Sequence, residues 1–247
     1  SEIVKTIRVH QWVKNVLIFI PAILSFKPFI DSFGYLLSGF FAFSFIASAF
    51  YIINDLFDIE NDRLHHSKKN RSFASGSLTI TQGSFIFIFL IISAIFLSIR
   101  LPQAFQILLI FYALSTFTYS KYLKKIVILD IFTLSSLYLL RIIAGGSLLD
   151  IYLSNWLLTF SVFFFLFLAS VKRWVELNKQ SSEFLSGRGY KRSDKPFISN
   201  LSYFSGLISV LVICLYIESQ QALTLYNNSK ILWLAPIILL YWILETL

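Results

Sequence analysis

The stretch "YIINDLFDIENDRLHHSKKNRSFASG", Tyr51 to Gly76, decides how this chain is read. It sets four carboxylates and four basic side chains directly after an apolar run that ends at Ile53, in a chain that is 57% hydrophobic and only 14% charged. Soluble domains carry about 25% charged residues. Apolar runs long enough for a helix to cross a hydrocarbon layer, about 20 residues for ~30 Å, recur on both sides of the segment. The expected fold class is therefore all-α, a polytopic transmembrane helical bundle. The runs predict eight spans, at about 15–30, 33–53, 80–99, 102–118, 126–144, 154–171, 200–217 and 231–247, the first interrupted by Pro21, Lys27 and Pro28.

The flanks agree with that class. The start, "SEIVKTIRVHQWVKN", is polar and basic, so no cleavable signal peptide is expected. The single Cys214 lies in an apolar run and reads as a small core residue without an intrachain disulfide. The chain contains no Met and stops at Leu247 inside an apolar run. We therefore expect one transmembrane domain over residues 1–247, truncated at its C-terminus and with methionines missing from the spans.

Charge gives the sidedness. The N-terminus and the loops at 54–79, 119–125 and 172–199 hold 17 of the 21 Lys and Arg residues, which places them in the cytoplasm. A net charge of +8 gathered on one face calls for an anionic partner there, lipid headgroups or phosphates. Nucleic acid is excluded as a partner, because short loops between spans offer no element to read a groove. The two long loops follow the second and sixth spans and weakly suggest halves of similar design, without a sequence repeat.

Asn54, Asp55, Asp58 and Asp62 spell N-D-x-x-D-x-x-x-D. On a continuing helix, residues three and four apart share a face, so Asn54, Asp58 and Asp62 line up and Asp55 sits within a turn of Asp58. Like charges so placed need compensation, which a hard cation with oxygen ligands supplies. Mg²⁺ takes one or two carboxylates and completes its shell with water and substrate phosphates. Behind the acids come Arg63, Lys68, Lys69 and Arg71. Acids for a metal and bases for a polyanion describe a diphosphate site, with Asn54, Asp55, Asp58 and Asp62 as metal ligands and the three aspartates as catalytic residues. The plain alternative is a solvated interfacial loop.

These residues resemble the first aspartate-rich motif of the UbiA superfamily of intramembrane prenyltransferases, N-D-x-x-D-x-x-x-D-R followed by a basic stretch and Ser-Gly. The resemblance implies a helical bundle of about nine spans that binds Mg²⁺-diphosphate substrates in a cavity near the cytoplasmic face. It also implies a home in the inner (cytoplasmic) membrane and a homo-oligomer, a trimer being plausible. "HQWVKN" (His10 to Asn15), "YSKYLKKIVILDIF" (Tyr119 to Phe132), "RIIAGG" (Arg141 to Gly146), "KRWVEL" (Lys172 to Leu177), "GRGY" (187–190) and "ILWLAPIILLYW" resemble its decaprenyl-phosphate phosphoribosyltransferase branch. That branch implies phosphoribosyl pyrophosphate as donor, a polyprenyl phosphate as acceptor, and Lys14, Lys124 and Tyr190 among the substrate contacts.

The second polar loop bears on the same choice. Prenyl-diphosphate users in the superfamily carry a second acidic motif, D-x-x-x-D; here the corresponding place reads Lys172, Arg173, Trp174, Val175, Glu176. Exchanging an acidic pair for fixed cations suits a donor with a further 5-phosphate, because Arg recognises phosphate bidentately and Lys acts as a point charge. Lys172, Arg173 and Glu176 join Arg63, Lys68 and Arg71 as expected substrate-binding residues. Simple obedience to the positive-inside rule is the bland reading of these bases. His66 and Ser72 stand where the branch has prolines, so a looser loop is expected there.

Asp130 and Arg141 lie three turns apart on one face of the fifth span, about 16 Å along the axis and too far to pair. Asp130 is expected to orient Lys124, Lys125 or loop bases; Arg141 to meet an acid, a lipid phosphate or a structural partner. The 27 Phe among 44 aromatics read as packing or as the lining of an isoprenoid groove. The function expected is Mg²⁺-dependent phosphoribosyl transfer for a cell-envelope glycolipid precursor. An aromatic prenyltransferase using a prenyl diphosphate is the alternative, and a cation-dependent transporter a more distant one.

Overall fold

The computed structural model describes residues 2–25, 32–64, 68–179, 184–185, 187–226 and 229–246. Its helices are α1 (Glu2–Ile7), α2 (Ile20–Leu24), α3 (Phe33–Phe57), α4 (Ile59–Leu64), α5 (Ile80–Ser98), α6 (Gln103–Lys121), α7 (Val127–Leu148), α8 (Asn155–Lys179), α9 (Lys195–Ile217), α10 (Gln220–Leu225) and α11 (Leu234–Thr246). Among the described residues, five helical stretches are long and apolar enough to cross a membrane: α3, α5, α7, α8 and Arg192–Ile217, which contains α9. The protein is an all-helical multi-pass membrane protein.

The other expected spans take different forms. Residues Val9–Phe19 form a 3₁₀ helix that passes into α2, where Pro21 sits in the first turn and loses no hydrogen bond; the remainder of that span, with Lys27 and Pro28, lies outside the described residues. The 102–118 run is helical as α6, but glutamines, serines, threonines and tyrosines dilute it. The last run is a 3₁₀ turn, Ser229–Trp233, followed by α11 with 13 residues, shorter than the ~30 Å layer requires at 1.5 Å per residue.

The chain packs as two compact units. The first comprises residues up to Tyr122 together with Leu140–Tyr152, and the second Leu123–Leu139 together with the residues from Leu153 onward. Helix α7 contributes to both.

In the first unit α3 packs along α5 and α6. It buries small residues, Gly39, Ala42, Ser44, Ala47, Ser48 and Ala49, which lets backbones approach closely. The serines also take hydrogen bonds from the 3₁₀ segment. Trp12 Nε1 donates to Ser48 Oγ (2.9 Å), Ser48 donates on to the Ile7 carbonyl (2.6 Å), and Asn15 Nδ2 donates to Ser44 Oγ (2.9 Å). Thr79 and Gln82 close a capping box at the start of α5.

The "RIIAGG" stretch closes on "HQWVKN". Arg141 Nε donates to Asn15 Oδ1 (2.7 Å) and its Nη2 to the Tyr112 hydroxyl (3.0 Å), while the guanidinium lies over the Phe43 and Tyr112 rings. These contacts lie within the first unit. One turn later, a β-carbon on Gly145 would lie 2.1 Å from the Ile18 carbonyl oxygen. Gly145→Ala is therefore expected to push the 3₁₀ segment away and lower stability by about 1–3 kcal/mol. Thermal unfolding in detergent measures this against Gly34→Ala, where a β-carbon meets nothing within 4 Å; equal midpoints for the two variants would dismiss the contact.

In the second unit α8 packs along α9, and α11 against α9. Its core joins Ile131, Leu166, Ala169, Leu177, Leu185, Tyr190 and Ile198. Cys214 is half-buried on α9.

Candidate active site

The carboxylate segment does not continue as one helix. α3 stops at Phe57, and Asp58 caps it with its N–H on the Asn54 carbonyl (3.0 Å) while its own carbonyl accepts from Asp62 N–H (2.7 Å). The helix breaks only at Asp58, and these two bonds keep Asn54, Asp58 and Asp62 one turn apart in succession. Asp55 and Asp62, 5% and 3% exposed, converge on one guanidinium. Arg71 Nη1 lies 3.0 Å from Asp55 Oδ1 and 2.7 Å from Asp62 Oδ2. A second guanidinium reaches Asp55 from the N-terminus, with Arg8 Nη2 at 2.5 Å from Oδ1 and 2.7 Å from Oδ2. Two neighbouring buried carboxylates repel, and this pair of arginines supplies the compensation.

Among the described residues no group of three His, Cys, Asp or Glu side chains is gathered as a metal-ligand set. The donors nonetheless suit a hard dication in kind, being carboxylate and amide oxygens. Two of them, Asp55 and Asp62, already point at a common positive charge. Asn54 and Asp58 are half-buried beside them.

The surrounding bases are distributed unevenly. Arg63 is exposed, with Nε 3.4 Å from the Ala74 carbonyl oxygen. Lys69 is exposed and Lys14, on the 3₁₀ segment, half-buried. The Lys68 side chain and residues His65 and His66 lie outside the described residues. Ser72, which stands where the branch has a proline, is buried and hydrogen-bonded. Thr6 Oγ1 donates to it (2.8 Å), it donates to Glu2 Oε2 (3.2 Å), and its carbonyl accepts from Leu78 N–H (3.0 Å). A hydrogen bond from Lys5 holds the Glu2 carboxyl below its ordinary pKa, so it stays an acceptor for Ser72 and Ser77.

The second unit holds its own charge cluster, centred on Asp130. Asp130 and Arg173 side chains are both 0% exposed, with Arg173 Nε 2.7 Å from Asp130 Oδ2. Arg188 Nη1 reaches Asp130 Oδ1 at 2.8 Å, and Tyr190 donates to Oδ2 at 2.9 Å and to the Val127 carbonyl. Glu176 ties the outer side, paired with Arg173 Nη1 and 3.6 Å from Arg188 Nε. Asp130 thus orients a loop base, Arg188, together with Arg173. Lys124 is half-buried on the turn Leu123–Lys125, and Lys172 is exposed.

"GRGY" has a geometric basis. Gly187 takes φ 74°, Leu185 N–H donates to the Tyr190 carbonyl (2.9 Å), and a β-carbon on Gly189 would come within 2.0 Å of the Lys125 carbonyl oxygen. The turn can therefore lie flat on the start of α7 and deliver Arg188 and Tyr190 to Asp130. Burial, then the Asp130 charge, push the Tyr190 hydroxyl far above its ordinary pKa, so it remains a donor. Arg173 and Tyr190, expected to touch substrate, are buried at 0% exposure, while Glu176 and Arg188 are half-buried and Lys172 is exposed.

Residues 16–245 match the UbiA prenyltransferase family. The chain belongs to the UbiA family. Among relatives, the Sinorhizobium fredii protein y4nM is 36% identical over 96% of this chain, which spans only 47% of that protein's length. The nodulation protein NoeC of Azorhizobium caulinodans is 33% identical over 87% of this chain and 71% of its own. The decaprenyl-phosphate phosphoribosyltransferase of Mycobacterium tuberculosis is 29% identical over 86% of this chain and 71% of its own. A UbiA homologue from Archaeoglobus fulgidus, solved with DMAPP and Mg²⁺, shares the fold with a TM-score of 0.79 at 14% identity, covering 100% of this chain and 86% of that one. Membership makes the protein a membrane-embedded transferase and sets the transporter reading aside.

Arg8, which pairs with Asp55, is the residue beside these carboxylates that sequence reasoning missed. Its only signal was indirect: carboxylates that crowd one turn require cations, and the N-terminal stretch is basic.

Proposed function

We propose that this UbiA-family protein transfers a 5-phosphoribosyl group from phosphoribosyl pyrophosphate to a polyprenyl phosphate and releases pyrophosphate. The observation that carries the reading is the Asp130 cluster. Where a second acidic metal pair would serve a prenyl diphosphate, this chain has Lys172, Arg173 and Arg188, and the two carboxylates among them, buried Asp130 and Glu176, are paired with the arginines. Relatives named decaprenyl-phosphate phosphoribosyltransferase support it. The same reading puts the site on the cytoplasmic side of the cytoplasmic membrane, and a homo-oligomer is part of it by family likeness.

Asp55, Asp58 and Asp62, with Asn54, would hold Mg²⁺, which when bound neutralises charge on a departing diphosphate. Arg71 fixes two of those carboxylates in position. Arg63, Lys68 and Lys14 would hold phosphate oxygens, and Lys172, Lys124 and Arg188 offer further cations for a phosphate. The bond from ribose C1 to the diphosphate oxygen breaks, and its electron pair leaves with pyrophosphate. The acceptor's phosphate oxygen forms the new bond to C1. A phosphate monoester, with a second pKa of about 6, is already ionised at neutral pH, so no general base is required.

The test is direct. Membranes holding the protein are given labelled phosphoribosyl pyrophosphate with a polyprenyl phosphate, and in parallel a prenyl diphosphate with 4-hydroxybenzoate. Labelled lipid in the first arm is expected; product in the second arm alone would make the protein an aromatic prenyltransferase.

A further inference from the structure

Arg8 occupies left-handed backbone, φ 53° and ψ 50°, a conformation that costs energy for any residue with a β-carbon. The turn is made by Arg8 N–H on the Lys5 carbonyl (3.2 Å) and Gln11 N–H on the Arg8 carbonyl (2.7 Å). It joins α1 to the 3₁₀ segment and throws the side chain onto Asp55. The contact is lopsided. One nitrogen, Nη2, serves both Asp55 oxygens, where a paired fork would use two. The guanidinium also lies over the Tyr51 ring, 4.9 Å from its centre.

The two cations on Asp55 are not equivalent. Arg71 is held by Asp62 as well. Arg8 has Asp55 as its carboxylate partner; both arginines are partly exposed, 20% for Arg8 and 28% for Arg71 against 7% for Asp55, so the number of carboxylates each holds is what separates them. Of the two, Arg8 is the one that can leave without stranding a second acid.

We infer that Arg8 is an exchangeable counter-ion. It neutralises Asp55 while no divalent cation is bound, yields that carboxylate when the cation binds, and then has its guanidinium available to a diphosphate oxygen. This rests on the reading of Asp55 as a metal ligand and not on the identity of the transferred group. A fixed structural pair is the competing account, and the two differ in sign. Removing a fixed partner disturbs Asp55 and weakens cation binding. Removing a competitor strengthens it.

Thermal unfolding of the full chain in detergent, titrated with Mg²⁺ alone, reads the difference without any turnover. Arg8→Gln is expected to lower the Mg²⁺ concentration at half-effect by about tenfold, the scale of one charge-assisted contact. Titration with pyrophosphate at saturating Mg²⁺ is expected to show the opposite, binding about tenfold weaker than in the parent. The gain for Mg²⁺ should vanish in Arg8→Gln combined with Asp55→Asn. Should Arg8→Gln fail to fold, Arg8→Lys carries the test, with a midpoint below the parent's because Lys holds a carboxylate less firmly. An unchanged or raised Mg²⁺ midpoint, or a parent protein indifferent to Mg²⁺, overturns the inference. If the midpoint falls as expected but phosphoribosyl transfer is not found, the proposed substrate fails and the exchange stands.

Discussion

Arg173→Ala is expected to cost about 3–5 kcal/mol of stability, the scale for breaking a buried ion pair from one side. The substitution leaves the Asp130 carboxylate at 0% exposure with Arg188 and Tyr190, both delivered by the turn at Gly187. Glu176 loses its nearer cation at the same time. Thermal unfolding in detergent should fall steeply. Asp130→Asn with Arg173→Met should regain most of the loss, because it removes both charges and keeps the volume. A wild-type melting point for Arg173→Ala, joined to weaker donor binding, would show instead that the guanidinium acts on ligand.

How far the sequence reached depended on the range of the interaction. Apolar length is local, so α3, α5, α7 and α8 were legible from composition alone. Less legible were the ends. Nothing in the run after Asn15 announces a 3₁₀ helix, since that geometry comes from Asn15 and Trp12 bonding to serines on α3. The spacing of Asn54, Asp58 and Asp62 predicts one continuing helix, and the break at Asp58 between α3 and α4 was not legible in it. The compensating charges, Arg8 and Arg71, stand 47 and 16 residues from Asp55, beyond what local periodicity can see. The same holds for Asp130. Its burial made a partner certain, but three partners come from α8 and the Gly187 turn. Motif resemblance marked "GRGY" as important, and only the approach of Gly189 to the Lys125 carbonyl gives it a physical reason.

These partnerships decide which aspartate best probes the metal. Asp55→Asn would free Arg8 and weaken Arg71, and Asp62→Asn would release Arg71 from α4, so a loss of activity in either mixes structure with chemistry. Asp58 is better placed. Its backbone bonds at the end of α3, to the Asn54 carbonyl and from the Asp62 N–H, are left intact by an amide side chain. Asp58→Asn keeps the shape and removes the charge. Transfer is expected to fall by about 100-fold or more, since metal charge stabilisation is worth several kcal/mol. The melting point should remain that of the parent. Labelled phosphoribose entering the lipid fraction, followed across a Mg²⁺ titration, measures the effect. A rightward shift in the Mg²⁺ requirement with recovered turnover would make Asp58 one ligand among several. Parent-like turnover at every Mg²⁺ concentration would remove Asp58 from the metal site and leave Asp55 and Asp62 to hold the cation with water.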